Sequence, residues 1–440
     1  MSLIRLNLPA VCRTRPPFGT LISAPARARR GYGSDSILKA NAVDSLQRRG
    51  LLSALTSPTL ETHLSQQARG VYAGFDPTAP SLHIGNLLTI IALCHFLKNG
   101  HRVICVVGGA TGQVGDPSGR NSERSALQVS ELNVNNSALE GQLKLLFTRA
   151  RNYMQSRHSK LDIFQSVQIV NNRDWFGKVG LLDFLGGVGR MGRVTDMLKR
   201  DSVKTRIASL EGISFTEFAY QLLQAYDFLH LHRELDVSVQ VGGSDQWGNI
   251  IGGIDLIRRT SDKAAFGLTI PLVTNDRGEK LGKSVGNALW LSPDLVSPFD
   301  FYQFFRRTPD SQLETFLKYF TFLPLDEISQ VLALHQTTPH HHAPQRLLAF
   351  EVTSLVHGEI EAKNAQNRSG VLYDSQADSL SAREVMLAFK GDERCREFKR
   401  AEIIGKSCWE VAFLSGVTDS KCMYIPFAAM TEPNPLFCQP

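Results

Sequence analysis

An α/β fold built on a parallel sheet, followed by a helical domain, is the architecture predicted by this sequence of 440 residues. Three observations carry that prediction. From Val71 onward, short apolar runs alternate with helical patterns over about 200 residues, the rhythm of strand–helix–strand units. Two of those runs, Arg102–Val107 and Val237–Val241, end directly in glycine pairs, as buried parallel strands do where a ligand approaches their carboxyl ends. From about Ser297 to His357 the pattern is helical without strand signals, which marks a second domain.

In order, Val71–Phe75 reads as a short strand, followed by a turn rich in Asp, Pro, Thr and Ser and a helix over Leu87–Asn99. Arg102–Val107 is the next strand and Val167–Val170 another; residues 214–229 are strongly helical. Val237–Val241 is a further strand, and Asn249–Arg259 a helix. The 42% of hydrophobic residues is ample for about three folded units. No run of 18 apolar residues occurs, so neither a membrane-spanning helix nor a membrane partner is expected. The seven cysteines are scattered and form no Cys-x-x-Cys pair, which argues against a disulfide framework or a zinc ribbon and for a reducing compartment.

The net charge of +6 invites a nucleic-acid reading until it is located. Residues 1–34 hold six arginines and no lysine or acid, so the remainder is close to neutral and bulk basicity names no partner for the folded body. An Arg- and Ser-rich start without acids or a continuous apolar core suits a mitochondrial transit peptide, which predicts the mitochondrial matrix. Gly187–Gly192 matches G-x-G-x-x-G but follows an apparent helix, Trp175–Leu185, rather than a strand, so dinucleotide binding is not expected there. His340–His342 lies in a proline-flanked loop and is read as solvated; no metal site is expected anywhere.

Five segments carry chemistry. In Tyr72-Ala73-Gly74-Phe75-Asp76-Pro77-Thr78 and the following Ser81–Asn86, His83 and Asn86 stand three apart around Gly85, where a helix begins after a strand. That arrangement aims two polar side chains and a positive helix end at one place, while Gly85 leaves room for a flat or phosphorylated ligand. In Gly108–Arg120, glycines at a strand end make room for a ligand, Asp116 suits a cation, and Arg120 and Arg124 follow. Tyr220, Gln224 and Asp227 share one helical face. At 1.5 Å per residue the outer two stand roughly 10 Å apart, enough to grip both ends of an amino acid with a polar tip. Val241–Asn249 places Gly243, Asp245 and Gln246 at a strand end, suited to ribose hydroxyls. Lys280 and Lys283, beside Ser284 in a glycine-flanked loop, can close on a polyphosphate as a leaving group develops charge.

Together and in this order, these segments resemble the tyrosyl-tRNA synthetases of bacterial and organellar type over roughly residues 71–358. His83–Asn86 stands where that family has its "HIGH" signature and Lys280–Ser284 where it has "KMSKS". The resemblance implies a Rossmann-type class I catalytic domain over 35–296, a helical anticodon-binding domain over 297–358 and a homodimer. It implies activation of tyrosine by ATP with Mg²⁺, then transfer to tRNA-Tyr. By that resemblance Tyr72 and Asp227 contact the phenol, Asp116, Tyr220 and Gln224 hold the α-ammonium, and Asn172 and Gln246 meet the carboxyl region. Gly74, Asp76, Gly85, Asn86, Gly243, Asp245 and Ser284 belong to the ATP site. Thr78, His83, Arg120, Arg124, Lys280 and Lys283 surround the polyphosphate.

Two departures from the family stand out. Asn86 replaces the second His of the signature; it keeps a hydrogen-bond donor but cannot become cationic. In 359–440, Cys408–Lys421 looks like the entry to the family's C-terminal RNA-binding module, but Cys422–Pro440 does not continue it, so an incomplete module and weakened charging are expected. Competing readings are a tryptophanyl-tRNA synthetase, against which the Tyr72/Asp227 pair argues, a small-molecule nucleotidyltransferase, a splicing cofactor and an inactive or weakly charging paralogue.

Overall fold

The computed structural model describes residues 41–120, 122–123, 127–157, 167–275, 278, 280–281, 288–374, 380–392 and 398–416. The segment 1–34 expected to be a transit peptide, the expected site residues Arg124, Lys283 and Ser284, and Cys422–Pro440 lie outside these residues. Ser34–Ser369 form one compact unit, and Gly370–Pro440 belong to a second. In the second unit, short helices at Ala382–Ala388 and Cys408–Leu414 each begin in a capping box, Ser381 with Glu384 and Ser407 with Glu410.

The first unit is organised by one sheet of six strands: β1 (Ala54–Leu55), β2 (Gly70–Phe75), β3 (Arg102–Val107), β4 (Gln168–Asn171), β5 (Val237–Gly243) and β6 (Phe266–Ile270). Their order is β1-β6-β5-β2-β3-β4, parallel throughout except for the β1–β6 pair at the edge. The chain winds from β2 outward to β3 and β4, then returns to β5 on the other side of β2. That reversal opens a crevice between the carboxyl ends of β2 and β5, where open α/β sheets hold their ligands. β2 and β3 are almost wholly buried, as strands covered on both faces must be.

Several elements depart from the sequence-based expectation. β1 is too short to carry a pattern, and the fully buried β6 is an apolar run that periodicity alone does not separate from a helix. The continuous helix expected over Trp175–Leu185 is instead two single turns, Arg173–Phe176 and Leu181–Phe184, leading into a π-turn at Leu185–Gly189. Gly177 and Gly180 separate the two turns. The long helix Val129–Arg157 is a further addition; it buries the stripe Leu132, Leu139, Leu143 and Leu146 and leaves a polar face outside.

Helices Pro298–Arg306, Asp310–Phe320, Leu325–Thr337 and Ala343–His357 follow the sheet. Phe301, Phe305, Phe316 and Phe320 pack edge to face among them. Glu351 fastens this layer to the Val129 helix: it takes two bonds from Arg157, at 2.8 and 2.7 Å, and one from the Tyr153 hydroxyl. Glu351 has only 6% of its side chain exposed, so its loss leaves a half-buried arginine and a buried phenol without their acceptor. Glu351→Leu is expected to lower stability by about 2–3 kcal/mol, read from the urea midpoint at unchanged m-value.

Candidate active site

A cavity of about 250 Å³ occupies the crevice at the ends of β2 and β5. Tyr72 and Asp227 are among its most deeply buried lining side chains. Tyr72 on β2 is 2% exposed, and its hydroxyl finds no hydrogen-bond partner among the described residues. Burial, with Asp227 adding to it, holds that phenol well above its usual pKa, so Tyr72 is a neutral donor. Asp227 on the helix Phe215–Leu235 is 5% exposed; it accepts from Trp175 Nε1 at 2.8 Å and from Asn172 Nδ2 at 3.1 Å. Burial pushes its carboxyl up to about 7, against the two hydrogen bonds that favour the ionised form. A carboxylate in such surroundings requires donors, and Asp227 lines the cavity together with Tyr72, whose hydroxyl is unsatisfied.

About two helical turns outward, Tyr220 donates to Asp76 Oδ2 at 2.7 Å, and Thr111 donates to Asp76 Oδ1 at 2.9 Å. A Cβ on Gly108 would lie 2.0 Å from Asp76 Oδ1, so only glycine allows this carboxylate to tuck beneath the strand end. Asp116 accepts from Gln246 Nε2 at 2.7 Å, and Gln246 in turn accepts from Gln224 at 3.2 Å. Asp76, Asp116 and the phenolic Tyr220 thus gather negative and acceptor character at mid-cavity, which suits an ammonium group.

At the β5 end, Asp245 accepts from Lys280 Nζ at 2.8 Å. Gly74 opens a flat stretch of cavity wall, where an added Cβ would meet nothing within 4 Å. Over the β2 end stands His83, the N-cap of the helix Ile84–Lys98. His83 Nδ1 accepts from the Gly85 amide at 3.0 Å, which places the proton of the neutral ring on Nε2. Asn86 Oδ1 accepts from the His83 amide at 3.0 Å, closing a capping box. Asn86 thus gives its oxygen to the backbone, and its Nδ2 remains the hydrogen-bond donor of the side chain. Gly85 must be small because its Cβ would lie 2.9 Å from the His83 ring.

The sequence-derived site residues Tyr72, Gly74, Asp76, Thr78, His83, Gly85 and Asn86 all line this cavity. So do Asp116, Asn172, Tyr220, Gln224, Asp227, Gly243, Asp245, Gln246 and Lys280. Three placements differ from expectation, the first being Asp76, expected in the ATP site and held by Tyr220 and Thr111 at mid-cavity. Asn172, expected at the carboxyl region, is fully buried beside Asp227, with its Oδ1 held by the Ala110 amide at 2.7 Å. Arg120 lines an adjoining cleft of about 670 Å³ instead, together with Lys199, Arg200 and Trp247; the two clefts share Asp245. Sequence reasoning did not single out Trp175, nor Thr89, Gln240 and Leu272 on the cavity wall. The one sequence signal for Trp175 is its position three residues after Asn172.

The family model for class I tRNA synthetases, tryptophan and tyrosine type, matches residues 64–373. The chain belongs to that class. Its relatives resolve the branch: the mitochondrial tyrosine–tRNA ligase of Drosophila melanogaster is 45% identical over 347 residues, covering 78% of this chain and 75% of the relative. Tyrosine–tRNA ligase 1 of Bacillus subtilis is 43% identical over 355 residues, 80% of this chain and 81% of the relative. A C-terminally truncated mitochondrial tyrosyl-tRNA synthetase of Aspergillus nidulans superimposes with a TM-score of 0.70 at 35% identity, over 76% of this chain and 94% of that one. The chain is a member of the tyrosyl-tRNA synthetase family.

Proposed function

We infer that the protein activates tyrosine with ATP, giving tyrosyl-adenylate and pyrophosphate, and passes the tyrosyl group to the 3′ end of an organellar tRNA-Tyr. The observation that carries this reading is the slot closed by Tyr72 and Asp227, joined by one continuous cavity to Asp245 and His83. Bound along it, a tyrosine would offer its hydroxyl to Asp227, its ammonium to Asp76, Asp116 and Tyr220, and its carboxylate to the α-phosphate of ATP. The carboxylate is itself the nucleophile, so no general base is required. Acceleration comes from holding two substrates in line and from donors that strengthen as charge moves onto pyrophosphate. His83 Nε2 and Lys280 are the described groups that we assign to that charge. Magnesium would arrive with the triphosphate, whose oxygens and waters supply most of its ligands.

We place the helices Pro298–His357 on the anticodon side, the enzyme in the mitochondrial matrix, and a second copy of the chain as partner. Exposed apolar side chains support the last point: Leu182 is 82% exposed and Phe215 77%, with Leu181 and Leu210 also bare. A sedimentation mass of one chain at micromolar concentration would remove the dimer. For the activity, tyrosine-dependent ATP–pyrophosphate exchange and charging of organellar tRNA-Tyr decide; absence of both would refute the reading.

A further inference from the structure

We propose that Trp290 is a positioning residue that sets the orientation of the His83 imidazole. The proposal rests on the reading that His83 meets the departing phosphates. Residues 289–292 lie across the His83 turn as a short antiparallel bridge. The Ile84 amide donates to Leu289 O at 3.0 Å, the Leu291 amide to Leu82 O at 2.9 Å, and the Ser292 amide to Ser81 Oγ at 3.1 Å. From the opposite side Gln142 Oε1 accepts from the Leu82 amide at 2.9 Å. The backbone on either side of His83 is thus fixed from two distant parts of the chain.

The ring itself needs more than a fixed backbone. The Gly85 amide donates to Nδ1 and ties the imidazole to the turn that it caps, and the neighbours of the ring act on its plane. Trp290 contributes to setting that plane: its ring meets the imidazole edge-on, with centroids 6.2 Å apart and planes at 63°. Leu289 and Leu291, 8% and 4% exposed, anchor Trp290 from both neighbouring positions. Held in this way, Nε2–H keeps one direction in the cavity before substrate arrives, and the reorganisation cost at the moment of reaction is small. Trp290 does not line the cavity, so its effect must pass through His83.

The test is a double-mutant cycle on tyrosine-dependent pyrophosphate exchange. Trp290→Leu is expected to lower kcat roughly tenfold, with KM for tyrosine unchanged, and Trp290→Phe, which keeps a ring edge, to restore most of the loss. In a His83→Ala background Trp290→Leu should cost less than about twofold, because the group it positions is gone. An equal loss in both backgrounds, or a phenylalanine variant no better than leucine, overturns the proposal. Should Trp290→Leu fail to fold, the same cycle with Trp290→Phe decides: its smaller effect must vanish in His83→Ala. Wild-type exchange, measured in the same series, reports on the proposed activity separately, since the coupling can be absent while exchange stands.

Discussion

Asp227→Ala is expected to cut the preference for tyrosine over phenylalanine by about 30-fold to 10³-fold. In the wild type a phenylalanine in the slot leaves a buried carboxylate and the Tyr72 hydroxyl facing a hydrogen atom, and both have already lost their water. Tyrosyl-tRNA synthetases as a class are known to discriminate between the two amino acids by a factor on the order of 10⁵. Without the carboxylate, tyrosine loses a charge-assisted bond of about 2–4 kcal/mol, or roughly 30-fold to 10³-fold in kcat/KM, whereas phenylalanine loses nothing. The ratio should therefore fall by about 30-fold to 10³-fold, read from exchange with each amino acid. Trp175 Nε1 and Asn172 Nδ2 lose their acceptor in the same variant. A melting curve is thus needed to separate lost selectivity from lost folding. Unchanged discrimination in a folded variant would remove Asp227 from the phenol site.

The same carboxyl gives a pH dependence of defined sign. Its folded pKa, pushed up by burial to about 7, lies above the ordinary carboxylate value near 4. Between those values the folded chain binds the extra proton, so its contribution to stability is complete below about pH 4 and is lost as pH rises through about 7. Tyrosine binding runs the opposite way, because its phenol donates best to the ionised form. Affinity should weaken up to about 30-fold from about pH 8 to about pH 5.5, measured by calorimetry, and should flatten in Asp227→Ala. A flat wild-type profile would show that Asp227 stays ionised across the range.

Most of this site was legible in the sequence because its chemistry sits where local signals are strong. Glycine pairs mark the ends of β3 and β5, and the face shared by Tyr220, Gln224 and Asp227 follows from helical spacing alone. What stayed hidden depends on contacts between distant segments. The Trp175–Asp227 bond joins residues 52 positions apart, and nothing local distinguishes that indole from ordinary core. Trp290 reaches His83 only because the chain after Lys280 folds back on the β2 turn. Asn86 shows a further limit: its residue type announces both a donor and an acceptor, and only the cap geometry shows that the oxygen is the atom held by the backbone.

Lys280→Ala is expected to lower kcat for adenylate formation by about 10²-fold while leaving KM for tyrosine within about twofold. The size of that effect follows from where the ammonium rests and where it is needed. In the structure Lys280 pairs with Asp245 at 2.8 Å, with 45% of the lysine side chain exposed. An ion pair so open to water is worth about 0–1 kcal/mol, so leaving it costs little. Against a departing pyrophosphate in a site shielded from water, the same charge is worth several times more, and only in the transition state. On the proposed reading, Asp245 would hold the ammonium loosely until the polyphosphate draws it away. Asp245→Asn separates this arrangement from a purely structural pair: it should raise KM for ATP through the ribose hydroxyls and leave melting within about 2 °C. A large loss of stability in either variant, with kcat intact once folded, would mean that the pair is architectural and that Lys280 has no part in stabilising the leaving group.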